Sequence, residues 1–139
     1  MHHAATNRAT NHGAAYAKRL AEAGHTVLGI DNLNDYYDVR LKRDRLFRLE
    51  NQKNFFNYFA DINDQVILSE IFKKHKPDYV VNLAAQAGVR YSLVNPKAYI
   101  DTNISGFLNI LENCRHNNVK HLIYASSSSV YGLDRKSTR

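Results

Sequence analysis

The chain is poor in several residue types that would have indicated a particular class of protein. Its 139 residues include one cysteine, two prolines, six glycines and no tryptophan. A single cysteine, Cys114, excludes a framework of internal disulfides and is consistent with a reducing, cytosolic setting. Because Cys114 falls in a helical apolar pattern, we expect a buried core thiol.

Long apolar runs are also missing. No stretch approaches the roughly 18 apolar residues that a membrane-spanning helix needs. The N-terminus lacks the apolar core of a signal peptide, so we expect a cytoplasmic protein without a membrane partner. The seven histidines show no metal-ligand spacing. They are expected to take surface or capping roles, and no metal site is predicted.

Motifs for nucleic-acid binding are absent as well. The net charge is +6, and the basic cluster at residues 40–48 is interleaved with Leu41, Leu46 and Leu49. This spacing favours a solvated helix face, with a nucleic-acid footprint as the alternative. Since no zinc-finger spacing or recognition helix accompanies the cluster, we expect no nucleic-acid partner.

What the sequence does contain is an alternation of strand and helix patterns. Continuous apolar runs at 26–31, 55–60, 78–84 and 121–126 suit strands that are buried on both faces of a parallel sheet. Helical patterns cover 13–23, 64–75 and 96–117. The first ends before Gly24, the second begins with Asp64 as N-cap, and the third has Pro96 in its first turn. The alternation predicts an α/β fold with a doubly wound parallel sheet.

The first eleven residues fit this pattern badly. The sheet needs a central strand directly before the helix at Gly13, yet residues 1–8 contain no β-branched or bulky apolar run. The first strand is therefore expected to be missing or weak. We divide the chain into an atypical segment, 1–12, a partial domain, 13–134, and a tail, 135–139, which is interpreted as a truncated end.

Candidate site residues follow the predicted strands, because open α/β sheets bind ligands at the carboxyl ends of their strands. Asp31 can accept hydrogen bonds from the adenosine ribose of NAD and would repel the 2′-phosphate of NADP; a turn aspartate is the alternative. Asp61 and Ile62 can hold an adenine ring, with a helix N-cap as the alternative for Asp61. Of the three positions of a phosphate-binding glycine loop, at 7, 10 and 13, only Gly13 is glycine.

The serine run at 126–129 follows the last predicted strand. A hydroxyl at a strand end can donate a hydrogen bond to a substrate oxygen while a neighbouring phenol takes the proton. The alternative is a polar turn.

Three blocks of sequence carry a resemblance to a known family. They are DNLNDYYD at 31–38, NLAAQAGVRYS at 82–92 and YASSSSVYG at 124–132. Together they resemble the extended short-chain dehydrogenase/reductase family and, within it, nucleotide-sugar epimerases that act on UDP-glucuronate. The resemblance covers residues 13–134, which is nearly the whole chain.

The resemblance implies a Rossmann domain that binds NAD. It also implies an enzyme that oxidises C4 of a UDP-sugar and then returns the hydride to the other face of the sugar. The cofactor contacts it implies are Gly13, Asp31, Asn32, Asp61, Ile62, Leu83, Ala84, Ala85 and Asn103. The substrate contacts it implies are Arg90, Ser127, Ser128 and Ser129. Ser127 matches the catalytic hydroxyl that bonds the sugar O4, whereas Arg90 faces the sugar or is a surface arginine.

Two departures from the family pattern bear on activity. The degraded glycine loop predicts weak or no NAD binding, because backbone donors at the pyrophosphate are lost. None of the nine tyrosines is followed four residues later by lysine. The Tyr-x-x-x-Lys general base is therefore expected beyond Arg139, together with the substrate domain, and the chain is expected to be inactive alone.

Several functions stay open at this point. The parent enzyme implied by the resemblance interconverts UDP-glucuronate and UDP-galacturonate. The alternatives are a non-catalytic NAD-binding or interaction module and part of a related sugar-nucleotide dehydratase or decarboxylase. The resemblance also implies a homodimer that pairs through the helix at 96–117.

Overall fold

A parallel sheet of five strands organises the part of the chain that the computed structural model describes, which is residues 1–6, 11–32 and 53–126. The strands are β1 (His2–Thr6), β2 (Thr26–Asp31), β3 (Phe55–Phe59), β4 (Tyr79–Asn82) and β5 (His121–Tyr124). Their order is β3-β2-β1-β4-β5, and every neighbouring pair is parallel. The predicted α/β doubly wound sheet is confirmed.

The helices lie between the strands as the sequence predicts, with one irregularity. They are α1 (Asn11–Glu22), α2 (Gln65–His75), α3 (Val89–Val94), α4 (Pro96–Ile100) and α5 (Phe107–His116). A π-helical turn (Asp101–Gly106) joins α4 to α5, and the backbone angles are helical at both junctions. The predicted helix at 96–117 therefore contains a local widening.

The predicted helix ends are confirmed at two places. The side chain of Asp64 accepts a hydrogen bond from the Ile67 N–H at 3.1 Å and caps α2. After α1, Gly24 has a φ of +85° and its N–H donates to the Ala21 carbonyl oxygen at 3.0 Å. A left-handed residue at this position closes the helix, and glycine adopts it without steric cost.

Strand β1 corrects the expectation for the N-terminus, since the possibility that the first strand is missing is wrong. β1 is the central strand, paired with β2 on one side and β4 on the other. Ala4, Ala5 and Thr6 are almost completely buried. The strand forms despite its small side chains because both neighbours bind its backbone, and tertiary context outweighs weak strand propensity.

The beginning of β1 is tied to the beginning of β4. The His2 N–H donates to Oδ2 of Asp78 at 3.1 Å, and the Asp78 N–H donates to the His2 carbonyl oxygen at 2.8 Å. The Lys120 ammonium contacts Asp78 Oδ1 at 2.8 Å. The hydrogen bonds from Lys120 and then from the His2 backbone lower the pKa of Asp78 to about 2.

His3 is also a correction, because it is buried in β1 and does not take the surface role expected for the histidines. Only 7% of the residue is exposed. Its ring stacks on Tyr79 at a centroid distance of 5.1 Å and meets the edge of His25 at 4.8 Å.

Two apolar clusters cover opposite faces of the sheet. Alternate strand residues point to opposite faces, so Val27 and Leu28 belong to different clusters. The larger cluster packs α2 and α5 on one face, and its largest fully buried side chain is Phe72. The smaller cluster packs α1 on the other face.

Cys114 contacts the larger cluster and is half-buried. Burial raises the pKa of its thiol to about 11, which suits the predicted core thiol. Among the described residues, no helix has both the length and the apolar character to cross a bilayer.

Candidate functional site

The strand order reverses next to β1. The chain continues from β1 to β2 on one side, whereas β4 and β5 lie on the other side. In open α/β sheets a reversal of this kind leaves a crevice at the carboxyl ends of the strands, where ligands bind. Thr6 ends β1 and Asn82 ends β4, so these two residues flank the crevice.

The Thr6 hydroxyl joins the two strands at this point. It donates to Oδ1 of Asn82 at 2.5 Å and accepts from the backbone N–H groups of Leu83 at 2.9 Å and Ala84 at 3.1 Å. Thr6 and Asn82 are both buried. The loop expected to line the dinucleotide through Leu83, Ala84 and Ala85 is thereby fixed to the end of β1. The sequence prediction missed Thr6, because the strand that carries it was not recognised.

A cleft of about 560 Å³ lies beside the ends of β4 and β5. The residues that line it include Asn82, Ala84, Ala85, Asn103, Tyr124 and Ser126. The structure therefore brings Ala84 and Ala85 together with Asn103 and the first serine of the run, whereas Leu83 is not part of the cleft lining. Ser127, Ser128 and Ser129 lie outside the described residues.

The loop that follows β4 is held from the helical side of the cleft. Oδ1 of Asn103 accepts from the Gln86 N–H at 2.8 Å, and Nδ2 donates to the Gln86 carbonyl oxygen at 3.0 Å. The Tyr99 hydroxyl donates to the carbonyl oxygens of Ala87, at 2.7 Å, and Gly88. Asn103 thus supports the site through the protein backbone, and its direct contact with a cofactor stays a prediction.

The predicted adenosine contacts form a second group at the ends of β2 and β3. Nδ2 of Asn32 donates to Oδ2 of Asp61 at 2.8 Å. Oδ1 of Asp61 accepts from the backbone N–H of Asn63 at 2.8 Å and from its side-chain amide at 2.9 Å. The helix cap considered for Asp61 is supplied by Asp64, so Asp61 holds the preceding turn. Asp31 ends β2 and is 5% exposed.

Hydrogen bonding controls the charge of Asp61. Burial by itself would raise the pKa of this carboxyl group. The hydrogen bonds from the Asn63 backbone and from the amides of Asn32 and Asn63 together outweigh burial, and the pKa is lowered. Asp61 is therefore a carboxylate at neutral pH.

The structure shows where three other parts of the sequence analysis lie, and the roles predicted for Gly13 and Arg90 stay predictions. Gly13 lies buried in the first turn of α1, and positions 7 and 10 of the expected glycine loop lie outside the described residues. Arg90 is exposed on α3. In the described ranges, no group of three or more His, Cys, Asp or Glu side chains is placed to hold a metal ion.

Comparison with known proteins identifies the family. The model of the NAD dependent epimerase/dehydratase family matches residues 11–139. The chain belongs to this family. The resemblance read from the three sequence blocks is thereby confirmed, since both point to NAD-dependent epimerases.

Individual members are similar over most of this chain. Protein CapI of Staphylococcus aureus is 54% identical over 122 residues, which is 88% of this chain and 36% of that protein. The UDP-glucuronate 4-epimerase of Thermodesulfobacterium geofontis is 49% identical over 112 residues, 81% of this chain and 35% of that protein. The chain thus spans about a third of the length of these curated relatives.

A solved structure shows the same fold. The UDP-glucuronic acid 4-epimerase of Bacillus cereus, in complex with UDP-glucuronic acid and NAD, is 30% identical with a TM-score of 0.86. The match covers 95% of this chain and 42% of that one. The family model and the solved structure thus both match a chain whose crevice lies at the carboxyl ends of its parallel strands.

Proposed function

We propose that the chain is the NAD-binding, N-terminal part of a UDP-sugar 4-epimerase and that the complete enzyme interconverts UDP-glucuronate and UDP-galacturonate. The observation that carries the proposal is the arrangement at the strand ends. Asp31 ends β2, and Asp61 lies in the loop directly after the adjacent strand β3. Thr6 and Asn82 flank the crevice, and the cleft continues beside β5. The choice of UDP-glucuronate as the substrate rests on the names of the relatives.

The described residues fit the adenosine half of NAD. Asp31 stands where an acid binds the ribose hydroxyls in dinucleotide-binding folds. The ionised Asp61 can accept a hydrogen bond from the exocyclic amine of adenine, and Ile62 supplies an apolar surface for the ring. When bound, NAD would accept a hydride from C4 of the sugar and return it.

The loop after β4 and the serine run would serve the other half of the site. Ala84 and Ala85 carry small side chains at the cleft, and the Thr6 hydroxyl fixes the loop. Ser127 is proposed to donate a hydrogen bond to the sugar O4. Because no tyrosine of this chain has lysine four residues later, we expect no turnover by this chain.

The cofactor proposal predicts selectivity for NAD⁺ over NADP⁺. We expect the 139-residue chain to bind NAD⁺ at least about tenfold more tightly, because the Asp31 carboxylate repels the 2′-phosphate. Asp31→Asn should weaken NAD⁺ binding by about tenfold and remove most of the selectivity. Isothermal titration calorimetry with both dinucleotides measures these constants.

Glu22→Gln is the control, because it removes an exposed carboxylate of α1 that pairs with Lys18. It should change neither constant. Equal affinity for the two dinucleotides would contradict the role of Asp31. If neither dinucleotide binds, the proposal that this chain binds the cofactor is wrong, and the degraded glycine loop, which predicts weak or no NAD binding, becomes the better guide.

We further propose that the chain self-associates through one face of the helical segment at 96–116. Four large apolar side chains on α4, the π turn and α5 are between 39% and 57% exposed, and they are Ile100, Ile104, Leu108 and Leu111. A continuous exposed apolar stripe marks an interaction surface. The homodimer implied by the family resemblance would cover it.

Leu108→Lys tests the dimer, because it places a charge in the middle of the stripe. We expect the dimer dissociation constant to rise at least about tenfold, since burying an unpaired ammonium is costly. Leu93→Lys is the matched control, because Leu93 is 85% exposed on α3 and lies off the stripe. Sedimentation equilibrium compares the two variants, and equal effects would exclude the stripe as the interface.

A further inference from the structure

The helix after the π turn binds the loop that connects β3 to α2. Asn109 on α5 is 6% exposed. Its Nδ2 donates to the carbonyl oxygen of Ile62 at 2.9 Å, and its Oδ1 accepts from Nε2 of Gln65 at 3.0 Å. A single buried amide therefore joins the loop and the first residue of α2 to α5.

Gly106 brings the same helix into direct contact with the loop. A β-carbon on Gly106 would lie 2.6 Å from both Cδ1 and Cγ1 of Ile62. Carbon atoms do not approach this closely, so Ile62 would have to move if residue 106 gained a side chain. The φ of Gly106 is −63°, an ordinary helical value. The absence of a side chain at residue 106 therefore lets Ile62 pack closely, and the backbone conformation does not require glycine.

We propose that Gly106 and Asn109 are positioning residues that hold Asp61 and Ile62 in place, and with them the adenine end of the cofactor groove. The assignment of adenine to Asp61 and Ile62 rests on the proposed function. Neither positioning residue needs to touch the cofactor, because both act through the position of Ile62.

The inference extends to the other loop of the site. Asn103, in the same π turn, holds the backbone of Gln86 after β4. One helical segment therefore fixes the loops that follow both β3 and β4. A displacement of this segment would move both loops together relative to the sheet.

The loop contains amides that report its position. The Asn63 N–H donates to Oδ1 of Asp61 at 2.8 Å, and the Asp64 N–H donates to the Asp61 carbonyl oxygen at 3.0 Å. Removal of Asn109 leaves the Ile62 carbonyl and the Gln65 amide without their buried partner. The loop should then open toward water more often, and the two amides should exchange their hydrogens faster.

The first test compares Asn109→Leu with Asn113→Leu by amide hydrogen exchange of the 139-residue chain without ligand. Asn113 is the matched control, because it lies one turn later and its Nδ2 donates to the Asn109 carbonyl of its own helix at 2.9 Å. In Asn109→Leu we expect the amides of Asn63 and Asp64 to exchange about tenfold faster, while β1 and β4 keep their protection. Unchanged exchange, or the same acceleration in both variants, would overturn the proposal.

The second test is a double-mutant cycle between residues 106 and 62. Gly106→Ala should accelerate exchange at Asn63 by about tenfold when Ile62 is present. Ile62→Ala removes Cδ1 and Cγ1, the atoms that a β-carbon at residue 106 would meet. In that background, Gly106→Ala should change the exchange rate at Asn63 by less than about twofold. Additive effects would show that the two residues do not act through their contact.

Calorimetry with NAD⁺ then separates the positioning role from the proposed function. We expect Asn109→Leu to weaken NAD⁺ binding by about fivefold and Asn113→Leu to leave it unchanged. Faster loop exchange with unaltered NAD⁺ affinity would overturn the link to adenine. If the unsubstituted chain does not bind NAD⁺, the proposed function fails for this chain, while the exchange experiments still decide whether Gly106 and Asn109 position the loop.

Discussion

Thr6→Val is expected to lower the free energy of unfolding by about 3 kcal/mol. Valine has the shape of threonine but no hydroxyl. The change therefore removes at once the partner of Oδ1 of Asn82 and of the N–H groups of Leu83 and Ala84. Each buried polar group without a partner costs about 1–3 kcal/mol, and water from the cleft can recover part of this at Ala84. Urea unfolding followed by circular dichroism measures the loss.

Thr6→Ser is the matched control, because it keeps the hydroxyl and removes one buried methyl group. It should cost about 1 kcal/mol. If valine were no more destabilising than serine, the hydroxyl would not anchor the β4 loop. The comparison also bears on function, since this loop carries Ala84 and Ala85, which are proposed to line the dinucleotide.

His3→Phe is expected to raise the free energy of unfolding by about 2 kcal/mol at pH 7. Within the described part of the chain, neither ring nitrogen of His3 has a hydrogen-bond partner, although the residue is buried. Phenylalanine keeps the ring that stacks on Tyr79 and removes both unsatisfied nitrogens. A polar group without a partner is thus exchanged for an apolar group of similar shape.

The same histidine should make the fold sensitive to acid. Burial lowers the pKa of His3, and nearby positive charges lower it further, while the Asp78 carboxylate opposes them. The groups that act on the ring from the surrounding elements are His25, the N-terminal ammonium, Asp78 and His2. The folded chain therefore binds fewer protons at His3 than the unfolded chain, in which the pKa is about 6.5. Stability is complete above that pH and falls as the pH drops below it.

Urea unfolding at pH 8 and pH 5.5 tests this sign. The chain should lose more stability on acidification than His3→Phe does. Some acid sensitivity should remain in the variant, because burial, Lys74 and His2 also lower the pKa of His75. His121→Phe is the control, since it makes the same replacement at an exposed position of β5. Equal losses in the chain and in His3→Phe would contradict the assignment to His3.

Much of the fold could be predicted because its signals are local. The run at 26–31 forms β2 over the predicted residues, and Asp64 caps α2 as expected. Asp31 and Asp61 were predicted as site residues for the same reason, since each comes at the end of an apolar run. In contrast, Thr6, Gly106 and Asn109 carried no local signal that distinguished them from an ordinary threonine, glycine or helical asparagine.

The sequence by itself determined the strand and helix alternation, the family and the acids at the strand ends, because periodicity, caps and motifs are properties of neighbouring residues. Only the tertiary structure decided that His2–Thr6 is the central strand, that His3 is buried, and that one helical segment holds two loops. These features depend on contacts between distant residues, such as Thr6 and Asn82, which are 76 positions apart. Such a contact is made when the sheet brings two strand ends together, and neither segment of sequence contains it alone.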